Sequence, residues 1–544
     1  MESRRQLRLA CAAIAACCGL LGLAGCSART DVGTTGAAPA DVAHLWVTVE
    51  EVWFAASADT ASASSVGWNR EKLPAPVVLD LANVDAGTLL PLATGLSLPA
   101  GRYRQLHLVI ADAGDRLLDE AGALGLEYNA QIDVENDSGS ITQAPLELPV
   151  PRAGLTIPID FTFEDADRTG DDEEEVASLA LSLDAARDVL GYEYGSSTGY
   201  ILSPTASVDD AAAAGEIRGQ VDTSGLASGH PAVAVSAQVI DDSGTHHRIV
   251  QRRLVAADGT FSLYPLPAGE GGTTYDVVIA GAGARTVVIR DVPVEAGAAP
   301  VALQAAAIAL TPASTVYANV DGVAAGLPAG TRVEFFRTLP GRDERPFLID
   351  GTALDPVTLT LPGGAFALAS GPITVGTYAG GEQIAFDTVT PSERDGGYLV
   401  GSAGPYRSDT LAAAAVLVSG SSSRPTLLDV PVPDFAAGGR AGRLTIGLQA
   451  PVGRYDRGFV AVMAGHRLVE TVRVDELLAR GGGTVLVEGL PSGSALAPEA
   501  GVSYRAALRA WNSRNAAGTI RRVAASGSAS LGDGGAGTLQ LEVQ

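Results

Sequence analysis

The sequence predicts an all-β protein built of tandem β-sandwich domains that follow a secretion signal and a flexible tether. Apolar and polar residues alternate with a period of two in many segments, for example at Leu106, Leu108 and Ile110, which is typical of half-buried strands. Glycine (65 residues) and proline (30 residues) are frequent, and long segments with helical periodicity are scarce. An apolar fraction of 46% with only 18% charged residues argues against a disordered chain.

The N-terminal residues 1–25 predict a cleaved signal peptide. Three arginines precede a short apolar run, residues 9–23, which falls below the roughly 20 residues that a membrane-spanning helix needs. The run ends in Leu23-Ala24-Gly25-Cys26, which resembles the lipobox of bacterial lipoproteins. The resemblance implies cleavage before Cys26 and acylation of that residue by chains such as palmitate, so that Cys26 attaches the protein to a membrane. An uncleaved signal anchor and an ordinary secretion signal are the alternatives.

The residue after Cys26 bears on the destination of the protein. By analogy with lipoprotein sorting in Gram-negative bacteria, Ser27 in place of aspartate favours the outer membrane of the cell envelope. All four cysteines lie within the first 26 residues, so cleavage leaves Cys26 alone. An acylated Cys26 leaves no disulfide, thiol nucleophile or thiolate metal site. Each domain therefore needs an apolar core large enough to hold it.

The net charge excludes one class of partner. The chain has 62 acidic and 37 basic residues, and removing residues 1–25 takes away one acid and three arginines, which leaves a net charge of −27. Such a surface repels the phosphates of nucleic acid and of anionic lipids. The sequence therefore predicts no nucleic-acid partner, and leaves a protein or a polysaccharide open.

The chain divides into a tether and four β domains. Residues 26–40 lack periodicity and are predicted to form the tether. The domains are predicted at residues 41–213, 214–308, 309–424 and 425–544, with the Gly/Ser-rich residues 419–423 as a linker. Residues 474–480 favour a turn or two of helix before a glycine stop at Gly481.

A Leu-Pro-x-Gly turn precedes a strand that carries a tyrosine in several places. The tyrosines are Tyr103, Tyr275 and Tyr504, and the turns begin at Leu98, Leu266 and Leu490. Proline and glycine supply the backbone angles of a turn. Because the spacing between turn and tyrosine varies, the pattern indicates separate sandwiches that share a local turn, not a solenoid.

Two of the domains resemble known families. Residues 41–213 resemble the DUF4382 domain, an uncharacterised domain of bacterial lipoproteins, at residues 47–54, 78–81, 98–106, 179–184 and 199–204. This resemblance implies a β-sandwich-like fold and a lipoprotein context, and it brings no catalytic residue. An acidic insert after Phe163 departs from the family pattern.

The second domain is similar to the carboxypeptidase regulatory-like domain, a transthyretin-like β-sandwich. The similar segments are residues 215–221, 258–263, 266–269 and 275–278. The resemblance implies an accessory spacer or ligand platform without an active site. Residues 309–424 and 425–544 resemble no family.

The acidic insert contains the only metal-ligand pattern. Asp165, Asp167 and Asp171 with their intervening glycine resemble the start of a calcium-binding loop. The twelfth position is Val176 where such a loop needs glutamate, and no helices flank the segment. A solvated loop is therefore the favoured interpretation, with no metal or other cofactor, and calcium is the alternative.

No catalytic set is evident, and the sequence predicts that the protein is not an enzyme. Residues 195–199 fit the serine-hydrolase elbow pattern, but a strand follows them where the elbow needs a helix. His246 and His247 are predicted to lie in a surface turn. The remaining histidines are predicted on exposed strands or turns, namely His44, His107, His230 and His466.

The tryptophans are candidates for stacking on sugar rings. Trp46 and Trp53 are seven positions apart, so on one uninterrupted strand they would face opposite sides. Packing in or beside a core is the favoured role, and stacking on a sugar ring is the alternative.

These observations predict a lipid-anchored envelope protein that presents tandem β-sandwiches to a protein or polysaccharide partner. A carbohydrate-binding surface lipoprotein is the first alternative. The second is an enzyme with a carboxylate site, for which Asp80, Asp160 and Asp184 are the candidates.

Overall fold

The computed structural model confirms the all-β prediction, with 60% of residues in strands and 4% in helices. No helix of the part described has the length and apolarity needed to cross a membrane. The chain folds into four consecutive β-sandwich modules, which we number 1 to 4. The structure describes residues 27–57, 67–84, 87–136, 138–163, 176–226, 233–340, 345–392, 397–404, 409–412, 414–433, 441–492, 502–514 and 520–543.

Module 1 pairs a four-stranded sheet, in the order β12-β9-β1-β4, with a larger sheet in the order β10-β11-β7-β6-β2-β5-β8, in which β3 also pairs with β2. Its elements are β1 (Ser27–Ala37), β2 (Val42–Ala55), β3 (Trp68–Asp80), β4 (Leu90–Pro99), β5 (Gly101–Ile110), α1 (Asp119–Ala123), β6 (Gln131–Glu135), β7 (Ile141–Glu147), β8 (Leu155–Phe163), β9 (Val176–Asp184), β10 (Val189–Tyr194), β11 (Ser197–Leu202) and β12 (Thr205–Asp210).

Module 2 is a smaller sandwich. Its elements are β13 (Ala214–Asp222), β14 (Ala234–Ile240), β15 (His247–Leu254), β16 (Thr260–Pro267), β17 (Thr273–Gly281), β18 (Ala284–Val294), β19 (Val301–Ala302) and β20 (Ile308–Ala309).

Module 3 contains short strands and irregular loops. Its elements are β21 (Thr315–Val320), α2 (Gly322–Ala325), β22 (Arg332–Arg337), β23 (Phe347–Ala353), a 3-10 turn (Pro362–Gly364), β24 (Phe366–Ala369), β25 (Ile373–Thr377), β26 (Phe386–Val389), β27 (Gly397–Ala403), β28 (Thr410–Leu411), β29 (Val416–Leu417) and β30 (Thr426–Leu428).

Module 4 completes the chain, and its short helix lies where the sequence predicted one. Its elements are β31 (Gly442–Gln449), β32 (Arg457–Ala464), β33 (Arg467–Arg473), α3 (Asp475–Ala479), β34 (Gly482–Leu490), β35 (Val502–Trp511), β36 (Arg521–Ala524), β37 (Ala529–Leu531) and β38 (Ala536–Glu542).

The four modules share one strand arrangement. In each module the first strand pairs in parallel with a late strand and antiparallel with a middle strand. These triplets are β9-β1-β4, β19/β20-β13-β16, β30-β21-β24 and β38-β31-β34. Modules 3 and 4 therefore repeat the three-strand arrangement of module 2.

A tyrosine of the second sheet closes onto the end of the middle strand in every module. The hydroxyl of Tyr103 donates to the carbonyl of Pro99 at 2.8 Å, and Tyr275 donates to Pro267 at 2.5 Å. The Tyr504 hydroxyl donates to Pro491 in module 4, and Tyr398 donates to Ala369 in module 3. The number of residues between the proline and the tyrosine differs from module to module, whereas the hydrogen bond from the tyrosine hydroxyl to the carbonyl is the same.

The predicted tether is wrong, because residues 27–37 form β1. This strand pairs along its length with β9 in parallel and with β4 antiparallel, and Val32 is buried. The segment looks like a tether in sequence because Thr30, Thr34 and Thr35 occupy buried positions that usually carry apolar residues. The Thr30 hydroxyl donates to the Ala177 carbonyl at 2.9 Å, which satisfies it inside the core.

The predicted boundaries of the third domain also need correction. Strands β25 and β26 extend the sheet of module 2 through a parallel pairing of β18 with β25. Residues 419–423 are not an interdomain linker, because Tyr317 of β21 donates its amide to the Gly420 carbonyl at 3.0 Å. Strand β30 follows and pairs with β21, so module 3 extends beyond residue 424.

A β-bulge corrects the prediction for the two tryptophans of β2. The register shifts between Val49 and Glu51, so that Leu45, Val47 and Val49 before the bulge and Val52 and Phe54 after it all enter the core. Without a bulge, residues an odd number of positions apart face opposite sides of the sheet. The extra residue in the bulge brings them back to the same side. Trp46 and Trp53 therefore lie on the same, outer face of the sheet.

We predict that Tyr275→Phe lowers the free energy of unfolding by about 1–3 kcal/mol, because the Pro267 carbonyl loses its tyrosine donor at a mostly buried position. Chemical denaturation measures the change. Tyr317→Phe is the control, since the Tyr317 hydroxyl has no partner within the described residues. Equal stabilities of the two variants would contradict a stabilising role for the tyrosine contact.

Candidate functional site

A fully buried arginine joins module 4 to module 1. Arg509 of β35 donates to Glu147 Oε2 at 2.9 Å and to the carbonyls of Leu148 and Pro149 at 2.7 and 2.8 Å. Its guanidinium thereby satisfies the end of β7 in another module. Buried charges are tolerated only with partners of this kind.

Glu147 is held ionised at this contact. Burial raises the pKa of its carboxyl, but the charges of Arg509 and Arg522 and the hydrogen bonds from both outweigh burial and leave the pKa below its usual value. The Tyr192 hydroxyl donates to Glu147 Oε1 at 3.0 Å. The rings of Tyr192, Phe459 and Trp511 pack edge-on around the same contact.

A second buried contact joins modules 1, 3 and 4 at Asp188. The carboxylate lies 3.4 Å from Arg467 Nη2 of module 4 and 3.6 Å from Arg332 Nη1 of module 3. The Thr205 hydroxyl donates to Asp188 at 2.7 Å and accepts from Arg332 at 2.8 Å and Arg467 at 3.0 Å. Burial raises the pKa of Asp188, but the two arginines outweigh burial and keep it below its usual value.

The charged cluster continues toward module 2. Glu334 lies 3.5 Å from both Arg187 Nη1 and Arg332 Nε. His246 of module 2 lies 3.3 Å from Asp409 of module 3. Burial lowers the pKa of His246, but the hydrogen bond with Asp409 and the charges of Asp241 and Asp409 outweigh it and leave the pKa raised. All four modules thus contribute charged groups to one connected region.

The histidine predictions are wrong for four residues. His246 and His247 are buried at the border with module 3, and His107 and His466 are buried where module 4 covers β8. Alternation of apolar and polar residues along a strand identifies a core face and an outer face. It does not show that another module covers the outer face. His44 is half exposed, and His230 lies outside the described residues.

Burial keeps the two histidines at the contact of modules 1 and 4 neutral. His107 Nδ1 lies 2.8 Å from the Thr156 hydroxyl, and His466 Nδ1 donates to the Thr156 carbonyl at 3.1 Å. Burial, with the charges of Arg505 and Arg70, lowers the pKa of His107 to about 3. Burial, with the charge of Arg467, lowers the pKa of His466 to about 4.

The three candidate carboxylates are not brought together. Asp80 accepts the Leu45 amide at 3.1 Å and lies 2.7 Å from His44 Nδ1. Asp160 forms an exposed pair with Arg102, and Asp184 accepts the Ala186 amide at 2.9 Å. Each carboxylate has local partners, and none of these partners within the described chain is another of the three.

The other candidate motifs are structural or lie outside the described residues. Residues 195–199 form the turn and first pairs of the β10–β11 hairpin, as the strand-like sequence after them indicated. Cys26 and the calcium candidates Asp165, Asp167 and Asp171 fall outside the described ranges. Within those ranges no group of three histidine or acidic side chains is placed to hold a metal ion.

A cleft of about 740 Å³ opens where modules 1, 3 and 4 meet. Leu190, Ala353 and Trp511 belong to its apolar lining. Its polar lining comes from Glu193, Thr198, Thr358, Arg457, Arg473 and Ser513. Volumes of 300–1,000 Å³ are typical of small-molecule sites. The sequence could not indicate this cleft, because its lining residues, from Val189 to Ser513, are separated by more than 300 positions and meet only through module packing.

A second cleft of about 370 Å³ lies between modules 1, 2 and 3. It shares Val189, Gly191 and Pro362 with the larger cleft, so β10 borders both.

The family comparison identifies module 1. Residues 30–204 match the profile described as "Domain of unknown function (DUF4382)". Residues 30–204 form a DUF4382 domain. The match begins at Thr30 inside β1, which agrees with the place of this strand in the sandwich and shows that the predicted start at residue 41 is too late. The carboxypeptidase regulatory-like identity of module 2 stays a prediction.

Comparisons with whole proteins add no fold assignment. No curated protein matches the chain. A leucine-rich repeat protein from Bacteroides thetaiotaomicron is 13% identical with a TM-score of 0.15, and the match covers 42% of this chain and 26% of that protein. The major pilin SpaA of Corynebacterium diphtheriae is 9% identical with a TM-score of 0.12, covering 60% of this chain and all of the pilin. The chain thus spans about a quarter of the first of these structures, and neither TM-score supports a shared fold.

We predict that acidification weakens the contact of the DUF4382 domain with module 4. His107 and His466 have pKa values of about 3 and about 4 in the folded chain, against about 6.5 unfolded. The unfolded chain therefore binds more protons below pH 6.5. Stability present above that pH is lost as the pH falls toward the folded values, by about 1.4 kcal/mol per pH unit for each histidine.

Denaturation between pH 7 and pH 4.5 measures this loss. The double variant His107→Gln, His466→Gln is expected to have a shallower pH dependence than the wild type, whereas His44→Gln, which removes a histidine outside this contact, retains the full slope. Equal slopes for the wild type and the double variant would contradict the assignment.

Proposed function

We propose that this protein is a lipid-anchored component of the bacterial cell envelope whose four modules form one rigid, non-enzymatic scaffold. Acyl chains on Cys26 attach it to the membrane, and Ser27 directs it to the outer membrane. The lipobox-like sequence and the absence of any other cysteine from the cleaved chain support the anchor. Burial of the charged residues between modules supports the rigid scaffold, since Arg187, Asp188 and Glu334 are at most 7% exposed.

The observation that carries the scaffold role is the charged cluster at Asp188. A string of flexibly linked sandwiches would present each module separately. Here Asp188, Arg332 and Arg467 belong to three modules and meet in a buried position, and removing one partner of such a contact costs about 3–5 kcal/mol. The scaffold therefore holds the junction clefts in fixed shape and presents them to a protein or polysaccharide partner.

We predict that Cys26→Ala moves the protein from the membrane to the soluble fraction of cells that express the full chain. The anchor is lost because residues 27–544 contain no other cysteine that could take the thioether-linked lipid. Membrane fractionation with labelled palmitate measures both association and acylation. Retention of Cys26→Ala in the membrane fraction would contradict the anchor.

A substitution at the next residue tests which membrane receives the protein. Ser27→Asp keeps the cysteine and the cleavage site, and is expected to shift the acylated protein from the outer to the inner membrane. An unchanged distribution would contradict the assigned membrane and leave the anchor intact.

Carbohydrate binding in the larger cleft is the second candidate function. The cleft is lined by apolar side chains, including Trp511, and by hydroxyl, carboxylate and guanidinium groups, a combination that suits a sugar, whose rings have apolar faces and polar edges.

We predict that envelope oligosaccharides bind the wild type with measurable heat in titration calorimetry. Glu193→Ala in the lining of the cleft is expected to weaken this binding, and Glu270→Ala, which removes an exposed acid in module 2, leaves it unchanged. Absence of heat from any oligosaccharide tested would remove this candidate in favour of a protein partner.

A further inference from the structure

The lipid attachment site adjoins the first strand of the DUF4382 domain. Strand β1 begins at Ser27, one residue after Cys26, and Ser27 pairs with Pro99 of β4. One residue of extended chain spans at most about 3.6 Å. An acylated Cys26 therefore cannot hold the domain away from the bilayer, and one particular end of the sandwich must lie against it.

The strand pairings identify that end. In the smaller sheet, Arg29 lies opposite Val176 at the start of β9. The β4–β5 turn, which begins at Pro99, leads into the larger sheet, where Gly101 lies opposite Phe163 at the end of β8. The last pair of the β2–β3 hairpin lies toward the same end. Ala55, the last residue of β2, pairs with Trp68 at the start of β3 and with Gln105 of β5. We call this the anchored end.

The anchored end carries an aromatic pair on the outer face of its sheet. Trp53 and Trp68 are half-buried, with ring centroids 6.2 Å apart, and the Arg70 guanidinium lies 4.4 Å from the Trp53 ring. Trp53 Nε1 donates to Glu51 Oε2 at 2.7 Å, so the ring has an apolar body and a polar tip. Tryptophans of this kind with nearby basic residues are typical of the interface between lipid and water.

Module 4 contacts the same sheet at β8, beside the aromatic pair. Thr156 of β8 donates its amide to the Gly465 carbonyl at 3.4 Å, and Arg505 donates to the Ala153 carbonyl at 2.7 Å. Thr156 lies opposite His107, which in turn lies opposite Trp53, and the His107 ring is 5.0 Å from the Trp53 ring and 5.6 Å from the Trp68 ring. Both tryptophans are nevertheless only half-buried, so each keeps an exposed part beside the residues that module 4 covers.

We propose that the anchored end lies on the bilayer surface, with Trp53 and Trp68 in the headgroup region and the neighbouring Arg70 and Lys72 beside the phosphates. This proposal rests on the proposed acylation of Cys26 and adds the orientation of the whole scaffold. Phe163 and Val176, which lie at this end, flank residues 164–175 in the sequence, and these residues include eight acids. They would repel anionic lipids, so the expected surface is zwitterionic.

Coupling the cleaved chain to vesicles tests the orientation separately from cellular lipidation. Residues 26–544 contain Cys26 as their one cysteine. A maleimide phospholipid in phosphatidylcholine vesicles therefore attaches at that residue alone. Acyl chains brominated near the headgroup quench tryptophan emission at short range, and quenching is compared with vesicles that lack bromine.

The wild type is expected to be quenched, and the double variant Trp53→Phe, Trp68→Phe to lose most of that quenching. Trp46→Phe is the matched control. Trp46 lies on the same strand and the same face, but about 20 Å from Trp53 at the strand rise of about 3.3 Å per residue. It is expected to retain the quenching.

An unquenched wild type with complete coupling, or equal quenching of the wild type and the double variant, would overturn the orientation. A change of emission on adding oligosaccharides in place of lipid, present in the wild type and lost in the double variant, would overturn it in favour of sugar stacking at Trp53 and Trp68. None of these results bears on the anchor, which the fractionation of Cys26→Ala decides separately.

Discussion

The buried carboxylate of Asp188 is the contact on which the arrangement of the modules depends. Modules 3 and 4 each place an arginine against it and against Thr205 beside it. Each charge loses water on burial, and only the complete set of partners offsets that loss. The cluster therefore favours one relative placement of the modules, because a displaced module would leave the other modules with unpaired buried charges.

This contact connects packing to the proposed role. Asp188 immediately precedes β10, and β10 borders both clefts. The partner strand β11 is followed by Ser203, whose hydroxyl accepts the Leu468 amide of module 4 at 2.8 Å. The walls of the clefts are thus attached to the same residues that join the modules. At the opposite, anchored end of the DUF4382 domain, the short link to Cys26 would transmit this fixed arrangement to the membrane surface.

Local features of the fold could be predicted from the sequence. Period-two alternation identified strands such as β5, and the Leu-Pro-x-Gly turns identified the ends of the middle strands. The tyrosine after each turn was noticed as a pattern, but its role required the structure, because the hydroxyl meets a carbonyl up to 13 residues away. Strand β1 escaped prediction because its partner β9 lies about 150 positions later and buried threonines take the place of apolar residues.

The candidate sites were less predictable, for a related physical reason. His107, His246 and His466 were expected at the surface, and neighbouring modules bury all three. The bulge at Glu50, which brings Trp46 and Trp53 to one face, has no signal in the alternation of β2 itself. Contacts between modules depend on single arginines such as Arg509, whose sequence neighbours do not distinguish them from exposed strand residues.

Scanning calorimetry of the wild type and of Asp188→Ala tests the scaffold most directly. If the charged cluster unites the modules, the wild type unfolds in one transition whose calorimetric enthalpy equals its van't Hoff enthalpy, and Asp188→Ala separates it into transitions of individual modules. Arg102→Ala, which removes an exposed ion pair of the same domain, retains the single transition. Several independent transitions in the wild type, or an unchanged single transition in Asp188→Ala, would contradict the account.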